Sequence, residues 1–285
     1  MAKSRLSVVK LASKVAAVLL CGLLACGLCP GFASAAQLEE GQLAARADLS
    51  PQAATKTVYV IASTTEKSDF FGNKNEATTK FTYNEDGLLT KRAYVSKTNK
   101  ANRITDTYTY SGTALKKAKQ TTSSSQYEVI YTTNKKGQFT KAVQKWSSSN
   151  SSDETRTFIA KYKSGKLKKL TRTNVYTPEG ATEPMSTVDV YSYAYKNGRV
   201  ASRTTNGYKA TYSYDKMGNI DDSANTYNAK KRLAKQTQTT PGTTWEITYK
   251  YKALKVDASV ADKVQAQQWA IINSNYNLAF GIAGI

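Results

Sequence analysis

Trp245-Glu246-Ile247-Thr248-Tyr249-Lys250-Tyr251 decides the fold. Trp245, Ile247, Tyr249 and Tyr251 alternate with Glu246, Thr248 and Lys250. A strand turns successive side chains to opposite faces, so this stretch is a strand with one buried and one wet face. The pattern recurs in Phe81/Tyr83, Tyr108/Tyr110, Tyr127/Val129/Tyr131, Tyr191/Tyr193/Tyr195 and Tyr208/Ala210/Tyr212/Tyr214. Thr, Tyr and Val suit a pleated surface. Aromatic residues at period two pack across neighbouring strands, which assigns most of the tyrosines to a core rather than to a sugar-stacking surface.

Each aromatic strand runs into a polar turn with glycine, as in Asn84-Glu85-Asp86-Gly87, Asn134-Lys135-Lys136-Gly137, Lys163-Ser164-Gly165, Lys196-Asn197-Gly198 and Asp215-Lys216-Met217-Gly218. Tight hairpin turns need positive φ, which glycine supplies. An apolar residue opens each return strand: Leu88, Phe139, Leu167, Val200 and Ile220. The turn glycines at 87, 112, 137, 165, 198 and 218 are 20 to 33 residues apart, an irregular repeat of one hairpin per unit. The predicted fold class is all-β. Its architecture is an antiparallel up-and-down meander curled into an open or closed barrel-like sheet, with a short C-terminal helix.

Tyr212-Ser213-Tyr214-Asp215-Lys216-Met217-Gly218-Asn219-Ile220 resembles the tyrosine–aspartate repeat of Rhs-type bacterial surface proteins. Tyr195-Lys196-Asn197-Gly198 is similar with Lys for the Asp, Tyr83-Asn84-Glu85-Asp86-Gly87 has Asn there, and Tyr227-Asn228 with Arg232-Leu233 lacks the Gly. The array, leader and short tail are similar to small secreted or lipid-anchored gut-bacterial proteins of unknown function with a porin-like β-meander. That resemblance implies a soluble, curled sheet or barrel and no reaction.

The chain divides into four segments. Residues 1–36 read as a signal peptide: Lys3, Arg5, Lys10 and Lys14 precede an apolar run from Val15 to Leu28, then Pro30-Gly31 and Ala33-Ser34-Ala35-Ala36. The run is shorter than the roughly 20 apolar residues a membrane span needs. Leu23-Leu24-Ala25-Cys26-Gly27 resembles a bacterial lipobox, which makes lipidation at Cys26 the alternative to release. Residues 37–55 read as a flexible tether and 56–256 as the β-hairpin repeat domain. In 257–285, Asp257 is placed to cap a helix through about Asn273, with Val260, Val264 and Ile271 as an apolar stripe; an apolar tail follows that should dock on the sheet.

Composition narrows the chemistry. The 285 residues hold no His, and the three cysteines, Cys21, Cys26 and Cys29, all lie in the leader. The mature chain therefore has neither the commonest general base nor a thiolate nucleophile or metal ligand. No phosphate loop or dinucleotide fingerprint is present. A glycosidase needs only two carboxylates, and Asp215, Asp221 and Asp222 are the nearest cluster. Asp215 is a turn residue, however, and no catalytic residue, metal site or cofactor is assigned.

Charge is the outward-pointing signal. The chain carries 41 Lys plus Arg against 21 Asp plus Glu; losing the leader's four cations leaves 37 against 21, a net charge of +16. Lysines recur at or just after the turns, which selects Lys135, Lys136, Lys166, Lys168, Lys169, Lys230, Lys231 and Arg232 as ligand-binding candidates. Such a surface suits an anionic cell-wall polymer or host glycan, although lysines also serve solubility and protect sheet edges. The expectation is an exported, noncatalytic envelope or extracellular protein, secreted or held at the cell surface. A carboxylate-based glycan enzyme and a passive structural or interaction module are the alternatives. Specific nucleic-acid binding is not expected, nor is a transmembrane span after signal removal. A lipid-spanning barrel would need a Leu- and Val-rich outer face, whereas these strands carry Tyr and Thr along their length.

Overall fold

The computed structural model describes residues 54–148, 154–178, 180–221 and 223–273. The leader with Cys26, the start of the tether, Asp222 and the apolar tail lie outside the described residues. Fifteen strands follow in chain order: β1 (Thr55–Phe70), β2 (Asn73–Tyr83), β3 (Leu89–Ser96), β4 (Arg103–Ser111), β5 (Ala114–Thr121), β6 (Ser125–Thr133), β7 (Phe139–Ser148), β8 (Glu154–Lys163), β9 (Lys166–Tyr176), β10 (Met185–Lys196), β11 (Arg199–Thr205), β12 (Tyr208–Thr211), β13 (Ala224–Tyr227), β14 (Leu233–Thr240) and β15 (Thr243–Asp257). One helix, α1 (Ala261–Asn273), ends the described chain.

The strands form a single antiparallel sheet in which β1 to β12 run in sequence and β15, β14 and β13 extend it on the other side of β1. The architecture is the expected up-and-down meander with a short helix. The sheet stays open, with β12 and β13 as its edges. It nevertheless curls round on itself, because one core cluster takes residues from nearly every strand, including Ile61, Phe81, Tyr108, Val129, Phe158, Tyr191, Leu233 and Ile247.

At the seam the edges approach through side chains rather than a ladder. A hairpin after β12 makes the lone bridge Tyr214–Ile220. The strand expected to run through Tyr208/Ala210/Tyr212/Tyr214 thus breaks after Thr211, and Tyr208 is 72% exposed rather than buried, because an edge strand has no neighbour to cover it. Asp215 accepts hydrogen bonds from Tyr227 and from Asn225 Nδ2 (2.8 Å), while Asn219 Nδ2 donates to the Tyr227 hydroxyl at 2.8 Å. Burial alone would raise the Asp215 carboxyl, but the Tyr227 and Asn225 bonds outweigh it and hold it below the ordinary value. Burial and the adjacent carboxylate push Tyr227 up to about 12. A carboxyl lowered by folding contributes stability above its unfolded pKa and loses it as pH falls through the folded value. Asp215→Asn is therefore expected to cost about 1 kcal/mol at neutral pH, by turning an amide donor toward two donors, and nearly nothing in acid. Urea titrations at both pH values check this.

The turns repeat one piece of chemistry. Asn134 Oδ1 accepts the N–H groups of Lys136 (2.9 Å) and Gln138 (3.1 Å), Asp215 Oδ1 those of Met217 (2.8 Å) and Asn219 (3.0 Å), and Asn228 Oδ1 those of Lys230 and Arg232 (both 3.0 Å). Asn84 does the same for Leu88 at 2.8 Å. The short Asx side chain thus replaces a backbone turn. Where the Gly is missing after Asn228, Lys231 takes the left-handed conformation at φ 57°.

Six tyrosines near the rim tie their segments to an earlier strand. The hydroxyl of Tyr83 donates to Ile61 O (2.7 Å), Tyr110 to Leu89 O (2.9 Å), Tyr162 to Phe139 O (3.0 Å), Tyr195 to Leu167 O, Tyr214 to Val200 O and Tyr251 to Leu233 O (each 2.8 Å). Register shifts fall at Tyr83, Tyr110, Tyr162 and Tyr195. A bulge re-aims a side chain, and here it turns the ring along the sheet toward a carbonyl of the previous hairpin. Burial raises the hydroxyl pKa of Tyr83, Tyr110 and Tyr251, which keeps these donors protonated.

In a meander every second turn lies at the same end, so the Asx and glycine turns form one rim, and α1 docks across it. The apolar stripe of α1 is sparse, and amides fasten the rest. A bulge between Ile61 and Ser63 takes the Ile61 N–H out of the ladder, and Gln268 Oε1 accepts it at 2.8 Å. Gln267 accepts from Leu89 N (3.0 Å) and donates to the Tyr110 hydroxyl (2.9 Å). At the far side Trp269 Nε1 donates to Gly218 O (2.9 Å) and Asn273 Oδ1 accepts from Ile220 N (2.7 Å), which anchors the seam hairpin. Val264 and Ala261 pack with Val58, Val60, Leu88 and Val256 in a second apolar cluster.

Candidate functional site: the basic rim

The rim carries every cation selected from the sequence. Lys135 and Lys136 sit in the turn between β6 and β7, Lys166, Lys168 and Lys169 at the start of β9, and Lys230, Lys231 and Arg232 between β13 and β14. The first two groups occupy adjacent hairpins. The third is separated from them by the turn at Asn197-Gly198 and the hairpin at Asp215–Asn219, so the eight residues make two clusters, not one.

At one side of the larger cluster, Lys135 and Lys136 line a groove of about 500 Å³ between the β4–β5 and β6–β7 turns, with Ser111, Thr113, Lys116 and Asn134 among its other walls. Lys116 Nζ donates to Thr133 Oγ1 at 3.2 Å. Lys263 reaches up from α1 beneath the groove and donates to Thr113 O. Burial lowers the pKa of its ammonium. Its ammonium lies against the turn, 3.7 Å from where a Cβ on Gly137 would stand.

Aromatic faces position further cations. Lys166 and Lys168 lie 5.5 and 5.1 Å from the centroid of Tyr195, whose hydroxyl is tied to Leu167 O. Arg199 lies over Tyr214 at 5.5 Å, and Arg232 stacks at 3.4 Å over Tyr59. Ring faces attract cations within about 6 Å. Tyr195 and Tyr214 therefore do two things, bonding a neighbouring strand through the hydroxyl and carrying rim charge on the ring face.

Ion pairing differs along the strands. Lys117 pairs with Glu128 (2.6 Å), Lys235 with Glu246 (2.6 Å) and Lys97 with Glu76 (2.5 Å) on the outer face. Among the described residues none of the eight rim candidates is in an ion pair. The carboxylate cluster considered for catalysis divides: Asp215 is engaged by its turn and by Asn225 and Tyr227, Asp221 is exposed, and Asp222 lies outside the described residues. No group of three His, Cys, Asp or Glu suited to a metal occurs among the described residues.

Sequence reading passed over the polar half of the inward face. Arg92 and Asp106 are 5% and 1% exposed and paired, with Gln120 Nε2 donating to Asp106 at 2.8 Å. Burial raises the Asp106 carboxyl despite Arg92. Glu154–Arg156 (2.7 Å) and Arg172–Asp189 (2.6 Å) lie on the same face. Extending the period of two from Ala142 to Gln144 and Trp146 would have found this region.

Fold and site together define a class: an open all-β meander, capped at one end by a helix that sits within a lysine-rich rim. No family model matches the chain, and no curated protein matches it. Among solved structures, a protein described as porin-like, from Bacteroides uniformis ATCC 8492, is similar over 67% of this chain and 98% of that one, at 12% identity and a TM-score of 0.36. A likeness of that degree carries no argument about what this chain binds. No helix among the described residues is long and apolar enough to cross a membrane.

Proposed function

We propose that this is an exported, noncatalytic cell-envelope or extracellular protein that holds an anionic glycopolymer or glycan on its basic rim. The observation that carries this reading is the set of rim cations, phased by the hairpin repeat and in no ion pair among the described residues. Edge protection would put lysines on β12 and β13. Lys135, Lys136, Lys166, Lys168 and Lys169 instead lie on or beside strands well inside the sheet. The net charge of +16 after leader loss also exceeds the roughly 2 to 8 that serves solubility in a small domain. The resemblance to tyrosine–aspartate repeats adds architecture and no reaction. The leader supports export, with a mature N-terminus near Ala36 or Gln37, or a lipidated Cys26, as the expected result of mass spectrometry.

Cosedimentation with isolated cell walls and with mucin tests the binding. The Debye length shrinks from about 10 Å at 0.1 M salt to about 3 Å at 1 M, so retention should be strong at the lower salt and lost at the higher. Lys135→Glu with Lys136→Glu, or Lys230→Glu with Lys231→Glu and Arg232→Glu, should weaken it at least about tenfold. Salt-insensitive retention contradicts the reading, as does no retention on either material.

A further inference from the structure

We infer that the inward face of β7 to β11, at the end away from α1, is a binding cleft for an uncharged carbohydrate. This goes beyond the basic rim, which lies at the opposite end of the same strands.

The period of two places the residues. Gln144 and Trp146 continue inward from the buried Ala142, Arg156 and Glu154 from Phe158, Arg172 and Asn174 from Leu170, and Asp189 from Tyr191. Register joins them into one field: Gln144 faces Arg156, Arg156 faces Asn174, Trp146 faces Glu154, Arg172 faces Asp189 and Tyr191 faces Thr205.

Four buried polar atoms in this field have no hydrogen-bond partner among the described residues: Gln144 Oε1, Trp146 Nε1, Asn174 Oδ1 and Thr205 Oγ1. Gln144 is 4% exposed. An unpaired buried polar group gives up its hydrogen bonds to water without replacing them, and most buried polar groups in native proteins are paired. Two others, Tyr108 OH and Gln268 Nε2, lie elsewhere. Exchanging the amide ends of Gln144 or Asn174 would leave a donor unpaired instead of an acceptor, so the deficit survives either assignment.

The chemistry of the field selects the ligand. Two of its three arginines are matched to carboxylates, Arg156 to Glu154 at 2.7 Å and Arg172 to Asp189 at 2.6 Å, with Asn206 Nδ2 on the second Asp189 oxygen at 2.9 Å. Arg172 and Arg203 lie 5.7 and 5.6 Å from the Tyr191 ring centroid. What is unfilled is neutral: one indole donor, two amide groups and a hydroxyl that can donate or accept. Sugar hydroxyls both donate and accept, and they satisfy such a mixed set. The edge-to-face pair of Tyr127 and Trp146, with centroids 4.0 Å apart, borders the field and offers apolar surface to sugar C–H groups. The paired side chains of Glu154, Arg156, Arg172 and Asp189 are 20–26% exposed, so solvent reaches the charged edge of the field, and the four unpaired atoms lie buried beside it.

The test is calorimetry and tryptophan fluorescence of the full mature chain with cellotetraose, maltotetraose, xylotetraose, mannotetraose and chitotetraose, run at high salt to silence the rim. At least one is expected to bind, with affinity unchanged by Lys135→Ala and Lys136→Ala and reduced at least tenfold by Trp146→Phe, which keeps an aromatic ring and removes the N–H. Gln144→Leu and Thr205→Val, checked for unaltered urea midpoints, should each weaken binding by a similar factor. Absence of binding to all five sugars overturns the inference, leaving ordered water to fill the field. So does binding that the inward variants leave intact.

Discussion

Tyr249→Lys should cost about 4 kcal/mol, while Thr248→Lys, one residue earlier, should stay within about 0.5 kcal/mol. Tyr249 is 7% exposed, and its hydroxyl donates to Gln236 on β14. It also lies opposite Thr64 of β1, itself 1% exposed. A lysine there would bring an ammonium into the shared core of the curled sheet with no carboxylate facing it, and a buried unpaired charge is among the costliest single changes. Thr248 points outward between Thr65 and Lys235, where a lysine side chain reaches water. Urea titration of both variants measures the difference. Equal losses would show that the facing of β15 is misassigned.

Gly87→Ala should cost about 2–4 kcal/mol, against about 1 kcal/mol for Gly112→Ala. Both glycines close rim turns at positive φ, +77° and +53°, where a Cβ costs roughly 1–2 kcal/mol by itself. Their surroundings differ. A Cβ on Gly87 would sit 2.8 Å from Val256 Cγ1 and 3.1 Å from Val264 Cγ2, between the end of β15 and the helix. A Cβ on Gly112 would meet nothing within 4 Å. Overpacking adds about 1–3 kcal/mol, and at Gly87 it would lift α1 from the rim. Thermal or urea denaturation compares the two. Equal effects would mean that α1 is not seated against the β2–β3 turn.

Much of this architecture was legible in the chain because its signals are local. Alternation in Tyr191/Tyr193/Tyr195 gives a strand, Asn197-Gly198 gives a tight turn, and Asp257 announces the helix, its Oδ1 accepting from Ser259 N at 2.7 Å. Closure was not legible. Whether β12 meets β13 depends on the curl summed over fifteen strands, and the answer is a seam bridged by Asp215, Asn225 and Tyr227. The role of Gln268 was equally hidden, because its partner Ile61 N lies 207 residues away and is freed only by a bulge. Lys135 and Lys230 look equivalent in sequence, but sheet order sets two turns' worth of other hairpins between their neighbourhoods. The inward field of Gln144, Arg156 and Asn174 was missed because polar residues at strand ends read as solvent-facing until the curl encloses them.

The central claim is that rim cations, acting together, hold an anionic polymer. Its most direct test is the equilibrium affinity for polygalacturonate across about 0.05 to 0.5 M salt, for the mature protein and for a variant with Lys135, Lys136, Lys166, Lys168, Lys169, Lys230, Lys231 and Arg232 all changed to Ala. Each engaged cation releases counterions and steepens the salt dependence by roughly one power of salt concentration at most. The account predicts a slope of several units for the mature protein and a nearly flat, much weaker response for the variant with its urea midpoint retained. The same slope and affinity in both proteins would contradict it.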